Sequence, residues 1–512
     1  MLRRNFIIAL GKIFTLNVFY SLSDKSIYNR TNNYFNKCNG SIIDVTTLGA
    51  RGDGITDNTK VFQKALRCYD SVIVPAAKSI YILSDTLIIP PEKELVGKDY
   101  HLPKLLFKGN VKVCISLRQG AKLNKLYIDG DSASKLHGST VIQVLRNDTK
   151  ILNCIIKNAK TYNVEIQASR CSIINGRQVS SKGTAIALVS KKSNYNNIKG
   201  VKFINNNGFG VWFSGGGGYN EISNCTASLN KLELCGVTYD CHDNLIQNNT
   251  VSNSGDNGIS ITGYNNYVSN NLCTYNNYHG IGVYGECNTI KDNICLNNGQ
   301  KNISLKQPLS YSGISVTPNF GGFGRFNLIS HNKCSDNQVN PTQIHGIKLE
   351  RHQYKEWSPR LKVTLNQRYV SDGKNVYRTM DSLVKNTISG HIKPTHIEGI
   401  ESDGQLNWRW VGSITQRLSK TINLWDKSCT ATKNKNIQRY VVSICKISKL
   451  EYMISTTQLN GSQSDELKRI EFIIPKPSSL DAFANIVLKN QMSGNSDSDI
   501  AVKSKNANAV VK

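Results

Sequence analysis

Between residues 239 and 352 the chain gathers side chains able to move protons. Asp240, His242, Asp243, Asp256, His279 and Glu286 are the candidate acids and bases. Tyr239, Tyr264, Tyr278, Tyr284, Tyr311, Arg325, Glu350 and His352 are the candidate ligand contacts. Two kinds of chemistry fit this set. Taking a proton from a carbon beside a carboxylate needs a base, a donor or cation to neutralise the carboxylate, and often a tyrosine as acid. His242, His279, Tyr284 and Tyr239 are the groups for that. Glycosidic hydrolysis needs two carboxylates, roughly 5–5.5 Å apart with retention or roughly 6.5–9.5 Å with inversion. Asp240 and Asp243 share one segment, and Asp256 and Glu286 occupy neighbouring units of a repeat.

That repeat is what must position them. Asn220, Asn244, Asn266, Asn288 and Asn327 each open a similar stretch, such as Asn-Leu-Ile-Gln-Asn at 244 and Asn-Tyr-Val-Ser-Asn at 266. Inside each unit a glycine precedes Val or Ile, at Gly210, Gly236, Gly258, Gly280, Gly313 and Gly346. Apolar alternation of period two follows, which means short strands. Two or three short strands in so few residues, with Asn and Gly at the corners, describe one coil of a parallel β-helix. Such a coil buries its inner face only by stacking on neighbours. The expected fold is therefore all-β: a right-handed parallel β-helix, its hand following from the parallel crossover preference. Aligning the units on the glycine puts Asp240 and Tyr284 in one column. His242, Tyr264 and Glu286 fall in a second. Cys235, Asn257, His279, Ser312 and His345 fall in a third, and Asp256, Tyr278 and Tyr311 in a fourth. Insertions near 299–312 and 317–326, carrying Tyr311 and Arg325, would wall a groove beside these columns. Asn249, Asn271, Asn293 and Asn332 are expected to stack as a hydrogen-bonded ladder.

Leu48-Gly49-Ala50-Arg51-Gly52-Asp53-Gly54-Ile55-Thr56-Asp57-Asn58-Thr59, followed by Phe62-Gln63-Lys64-Ala65-Leu66, closely resembles the opening of the pectate-lyase-like β-helix superfamily. That group includes polygalacturonase-like enzymes and phage tailspike depolymerases. The resemblance implies an N-terminal helix that plugs the solenoid. Asp53 and Asp57 read as structural, with a Ca²⁺ site the alternative. A second stretch, Tyr369-Val-Ser-Asp-Gly-Lys-Asn-Val-Tyr377 through His396 to Trp408 and Trp410, is similar to a small β module found beside β-helices in phage tail proteins. His396, Trp408 and Trp410 are expected to define that module's fold. Tyr239-Asp240-Cys241-His242-Asp243 resembles the Asp-x-His-Asp/Glu motif of β-helix mannuronan C5-epimerases, with Cys241 in place of the usual Pro. Asn276-Asn277-Tyr278-His279-Gly280 resembles a later His-Gly stretch of those enzymes, with Tyr278 in place of the usual Arg. These resemblances imply an organisation of residues 1–40 as a candidate export segment and 41–355 as the β-helix. Residues 356–412 would be the small module and 413–512 a C-terminal β region, with an oligomerisation role and a frayed end.

The remaining arithmetic narrows the partner. Lys and Arg exceed Asp and Glu by 63 to 36, a net charge of +27, while charged residues are only 19% of the chain. A surplus of that size calls for an acidic partner. No nucleic-acid recognition motif accompanies it, and no segment beyond the N-terminus has the roughly 20 apolar residues of a membrane span. The fourteen cysteines lack a zinc-binding spacing, so no metal site and no cofactor are expected. Several fall at one place in the repeat and read as buried packing thiols. The expected function is a depolymerase, hydrolase or lyase, acting on an acidic bacterial or extracellular polysaccharide. The alternatives are a uronate C5-epimerase and a non-catalytic glycan-binding spike. The tailspike resemblance further implies a homotrimer, located in a virion tail or secreted or periplasmic.

Overall fold

The computed structural model of the chain describes residues 40–76, 80–98, 101–130, 138–238, 240–305, 309–317, 324 and 327–349, and within 355–511 a set of strands with short joining segments. The candidate export segment lies outside the described residues. Two compact units contain them: Gly40–His352 together with Leu418–Lys512, and Gln353–Arg417.

The first unit is a parallel β-solenoid with sheets of 14, 13 and 12 strands. One coil consists of Leu245–Gln247, Thr250–Ser252 and Ile259–Ile261. The next consists of Tyr267–Ser269, Leu272–Thr274 and Ile281–Val283, and each strand pairs in parallel with its counterpart. Strands this short need tight corners. Asn224, Asn248 and Asn270 make one set, with φ of 54°, 55° and 54°. Asparagine tolerates this left-handed region because its side chain bonds locally.

Inward-facing residues align in apolar columns. Ile259, Ile281, Ile314 and Ile347 stack in register and are fully buried. Each such side chain is worth about 1.5–3 kcal/mol of burial. Cys273, Cys295 and Cys334 stack likewise, and among the described residues ten cysteines are buried free thiols. Burial drives the thiol pKa upward, to about 12 at Cys154 and Cys225. Cys68 departs from that pattern, since it is disulfide-bonded.

Asparagine ladders tie the coils together at their corners. Asn220 Nδ2 donates to Asn244 Oδ1 at 3.0 Å, Asn244 to Asn266 at 2.9 Å, and Asn266 to Asn288 at 3.1 Å. A second ladder runs Asn249, Asn271, Asn293, Asn332. Each rung satisfies two buried polar groups that would otherwise cost about 1–3 kcal/mol.

The helix Thr59–Cys68 covers the N-terminal end, burying Phe62, Ala65 and Leu66. Its Gln63 amide exchanges two hydrogen bonds with Ile88, Nε2 to the carbonyl and N–H to Oε1, both 2.9 Å. Ile88 lies on Leu87–Ile89, the terminal strand of the 12-stranded sheet. The side chain thus takes the place of a missing strand and closes an exposed edge. Asp53 accepts from Ile55 N, Thr56 N and Thr56 Oγ1, and these bonds hold its carboxyl down at about 2. Among the described residues no group of three Asp, Glu, His or Cys side chains is placed to hold a metal ion, and no helix is long and apolar enough to cross a membrane.

The solenoid does not end at residue 355, and the C-terminus is not simply frayed. Asn485–Leu488, Gln491–Ser493 and Ser498–Val502 pair in parallel with the strands at 328–330, 333–335 and 345–349, adding a further coil. Both ladders continue across the gap, Asn327 to Asn485 and Asn332 to Asn490, at 3.0 Å each. These pairings join residues 158 apart in sequence, so local periodicity cannot show them.

In the second unit, Lys355–Glu356, Tyr369–Ser371, Asn375–Thr379, Asn407–Ser413 and Ile400–Ser402 form one sheet, mostly antiparallel. Its core is Leu361, Val363, Tyr377, Leu406 and Trp408. Trp408 Nε1 donates to Asp403 Oδ2 at 2.9 Å, so the buried indole is satisfied. A separate four-stranded antiparallel meander comprises Ile422–Trp425, Arg439–Lys446, Glu451–Leu459 and Leu467–Pro475.

Candidate functional site

The 12-stranded sheet carries the candidate residues on its outer face and at the two ends of its strands. Between buried Ile259 and Ile261 the pleat turns Ser260 outward. Its register partners form an outward column of Trp212, Gly236, Ser260, Gly282, Ser315 and Lys348. Glycine is required at position 282. A Cβ there would lie 2.7 Å from Tyr284 Oη, so only a bare backbone lets the tyrosine lie flat across the strand. Phe209 covers Gly236 in the same way and stacks with Trp212, ring centroids 6.4 Å apart.

At the upstream end of these strands lies a buried polar network. Glu233 is 0% exposed. Ser260 Oγ donates to its Oε1 at 2.6 Å. Asn257 Nδ2 donates to Ser260 Oγ at 2.9 Å and to Tyr284 Oη at 3.0 Å. Asn257 Oδ1 accepts from His279 N at 3.0 Å, and His279 Nδ1 accepts from Ser312 N at 2.9 Å. An amide can only donate, so Nδ1 is bare and the proton of the neutral ring is on Nε2. Tyr311 stands edge-on to His279 and stacks on Tyr278 at 5.0 Å. Burial, then the neighbouring Tyr278 and Asp256, push its phenol up to about 12. Asp256 is buried and accepts from Asn257 N at 2.9 Å. The 299–312 insertion also supplies Ser310, which bonds His345 Nε2 at 2.8 Å and accepts from Lys348 Nζ at 3.0 Å.

A second cluster occupies the corner downstream of the same strands. His242, Tyr264 and Glu286 stack in register. His242 Nδ1 donates to Asp243 Oδ2 at 2.7 Å, which leaves Nε2 as the accepting nitrogen. Its ring stacks on Tyr264 at 5.1 Å and meets Tyr219 at a right angle, and Tyr219 stacks on Tyr195 at 5.1 Å. Asp240 accepts from Thr238 Oγ1 at 2.7 Å.

The predicted residues therefore divide. Asp256, Tyr278, His279, Tyr284 and Tyr311 meet in the network; Asp240, His242, Asp243, Tyr264 and Glu286 occupy the corner. Asp256 and Glu286 lie at opposite ends of the sheet strands and do not form a carboxylate pair. Tyr239, Arg325, Glu350 and His352 lie outside the described residues. Sequence reasoning missed Glu233, Ser260, Lys348 and the Tyr195–Tyr219 stack. Glu233 was hidden by a register slip. The glycine marks align Gly236 with Gly258, whereas the structure pairs Cys235 with Ile259 and Gly236 with Ser260. Register at the corner is regained by His242 opposite Tyr264, so the two extra residues sit in the turn after Val237. A slip of two keeps every side chain on its own face, which is why the alternation concealed it.

A family model described as the right handed beta helix region matches residues 172–308 and 234–388. The chain is accordingly a right-handed parallel β-helix over its repeat. No curated protein sequence matches it. Several solved structures are similar at low identity. The A-module of a mannuronan C-5 epimerase from Azotobacter vinelandii has 14% identity and a TM-score of 0.46, covering 60% of this chain and 90% of that one. The catalytic domain of a GH87 α-1,3-glucanase has 15% identity and a TM-score of 0.44, covering 62% and 61%. A full-length tailspike protein of an Escherichia coli bacteriophage has 12% identity and a TM-score of 0.40, covering 86% and 63%.

Proposed function

We propose that this β-helix cleaves an acidic polysaccharide by hydrolysis on the outer face of its 12-stranded sheet. The observation that carries the reading is the buried network Glu233–Ser260–Asn257–Tyr284, with Asp256 beside it. A fully buried carboxylate is costly. Just ahead of the strand Cys235–Val237 and bonded to Ser260 on the outer face, it serves no apolar core, and a polar network there is suited to hold a reacting group. Glu233 and Asp256 sit on adjacent coils, one strand spacing of about 4.8 Å and one residue step of about 3.3 Å apart. Backbones so placed suit an acid and base separated by roughly 5–9.5 Å. The +27 charge suits a polyanionic substrate. Such a substrate, a trimeric assembly and a virion-tail or extracellular location belong to the same proposal.

The test is incubation with a panel of acidic capsular and exopolysaccharides, reading reducing ends for hydrolysis and ultraviolet absorbance for unsaturated uronate. Hydrolysis abolished by Glu233→Gln and Asp256→Asn is the expected result. Tight binding with no new ends on any acidic glycan would sink it and leave a binding spike.

The His242–Asp243 pair favours a second reading. An imidazole held by a carboxylate, with Nε2 accepting, is arranged to take a proton next to a sugar carboxylate, as elimination or epimerisation requires. Unsaturated ends, or altered uronate stereochemistry without cleavage, would select it.

A further inference from the structure

One turn of the solenoid has no side chains at all. Gly215-Gly216-Gly217-Gly218 occupies the corner where the preceding coil carries Lys191-Lys192-Ser193-Asn194 and the following coil carries Asp240-Cys241-His242. Gly215 and Gly216 hold φ of 85° and 82°, which excludes most residues. Conformation does not account for the other two, which have no positive φ. Space does: a Cβ at Gly218 would sit 2.7 Å from His242 Cε1, and one at Gly217 would sit 2.5 Å from the Ser193 carbonyl. At Gly216 the direction a side chain would take is flanked by Lys191 Cγ at 3.4 Å and Asp240 Oδ2 at 3.6 Å. The bare turn is a notch with a cation on one lip and a carboxylate on the other.

Beside the notch stand Tyr195 and Tyr219, 47% and 40% exposed. Both are held in the left-handed region, at φ of 58° and 60°. Bulky residues rarely adopt it, and strain of this kind collects at functional sites. The corresponding corners use Asp243 and Asn265. Tyrosine here sets an aromatic wall, and removal of the side chain at 218 lets the His242 ring enter below Tyr219.

We infer that the Gly215–Gly218 turn binds one carboxylate-bearing pyranose of the glycan. Lys191 takes the carboxylate, Asp240 accepts from the hydroxyls, and Tyr219 with Tyr195 covers the apolar flank of the ring. A uronate is preferred over a neutral sugar because only its carboxylate can form a charge-assisted bond with the Lys191 ammonium. This assignment rests on the glycan substrate proposed above and adds the class of sugar.

The test is titration calorimetry of the full chain with tetragalacturonate, tetramannuronate and, as the neutral probe, cellotetraose. At least one uronate tetramer binds and cellotetraose does not. Lys191→Gln weakens uronate binding about tenfold, the value of one charge-assisted contact. Gly216→Asn, which tolerates the left-handed φ while filling the notch, weakens it at least as much. Lys202→Gln, on another sheet, leaves it unchanged. Failure of every uronate tetramer to bind overturns the inference, as does binding indifferent to Lys191→Gln. Should Gly216→Asn not fold, as read by its thermal midpoint, Lys191→Gln decides alone. Cleavage lost in Glu233→Gln with binding indifferent to Lys191→Gln overturns the notch and keeps the hydrolase. Cleavage indifferent to Glu233→Gln with Lys191-dependent binding does the reverse.

Discussion

The two ends of the 12-stranded sheet use the same kinds of residue in opposite ways. At the upstream end, carboxylates, amide and phenol are buried, the imidazole is half-buried, and the set is cross-braced over four coils. At the downstream corner, His242, Tyr264, Tyr219 and Tyr195 stand in a stack whose tyrosines are about half exposed. The histidines show the contrast most clearly. His279 accepts at Nδ1 and keeps its proton on Nε2; His242 donates a hydrogen bond from Nδ1–H to Asp243 and is left to accept at Nε2. One ring is set to donate and the other to receive, and only the neighbours differ. The lesson is that residue type does not assign a role in a solenoid. Backbone position relative to the strand decides which nitrogen meets an amide and which meets a carboxylate.

Substitutions at the two ends should separate buried preorganisation from surface grip. The largest effect is expected from Glu233→Gln, which keeps the shape of the network and removes the charge. Hydrolysis falls at least a hundredfold, as expected for loss of an acid–base group, while the urea midpoint moves little. Activity that survives would assign the chemistry to the corner instead. Next is Gly282→Ala, which drives Tyr284 off the strand. A cost of about 1–3 kcal/mol in urea unfolding is expected for such overpacking, together with loss of cleavage. Asp243→Asn, at a side chain only 12% exposed, should cost about 1.5 kcal/mol, as expected for a lost charge-assisted hydrogen bond. Its signature is the tautomer of the His242 ring, read from its nitrogen shifts by NMR, since the carboxylate that accepts from Nδ1 is gone. An unchanged tautomer would show that the pair is ornamental.

The smallest expected effect is Tyr311→Phe. The folded phenol is held up at about 12 against an ordinary 10. Its raised pKa contributes stability that is complete below pH 10 and is lost as pH rises toward 12. The phenylalanine variant should therefore flatten the alkaline limb of the stability profile and leave the neutral region alone. An unaltered alkaline limb would show that Tyr311 is not held as the structure places it.

Much of the solenoid was legible because its signals are local. The Asn anchors, the glycine marks and the period-two alternation all fall within one coil, and Asn ladders follow as soon as coils are stacked. Gln63 within the capping helix was legible as a position, but its bonds to Ile88 were not, since they depend on where the sheet edge lies. The site was legible only as columns. His242, Tyr264 and Glu286 do share one, because the turn insertion precedes all of them. Glu233 was lost to the same insertion, which shifted the strand by two without changing its pattern.

Sequence alone determined that this chain must stack coils: each repeat has one apolar face and cannot bury it in isolation. It also determined which residues could carry protons. Tertiary structure alone decided which of those residues meet. It put Glu233 on Ser260, and Asp243 rather than Asp240 on His242. It also returned the strands Asn485–Leu488, Gln491–Ser493 and Ser498–Val502 to the solenoid after the long excursion. The physical reason is common to all three. Pairings between coils are fixed by register and by turn length, and a two-residue change in a turn or an inserted module alters them while leaving every local pattern intact.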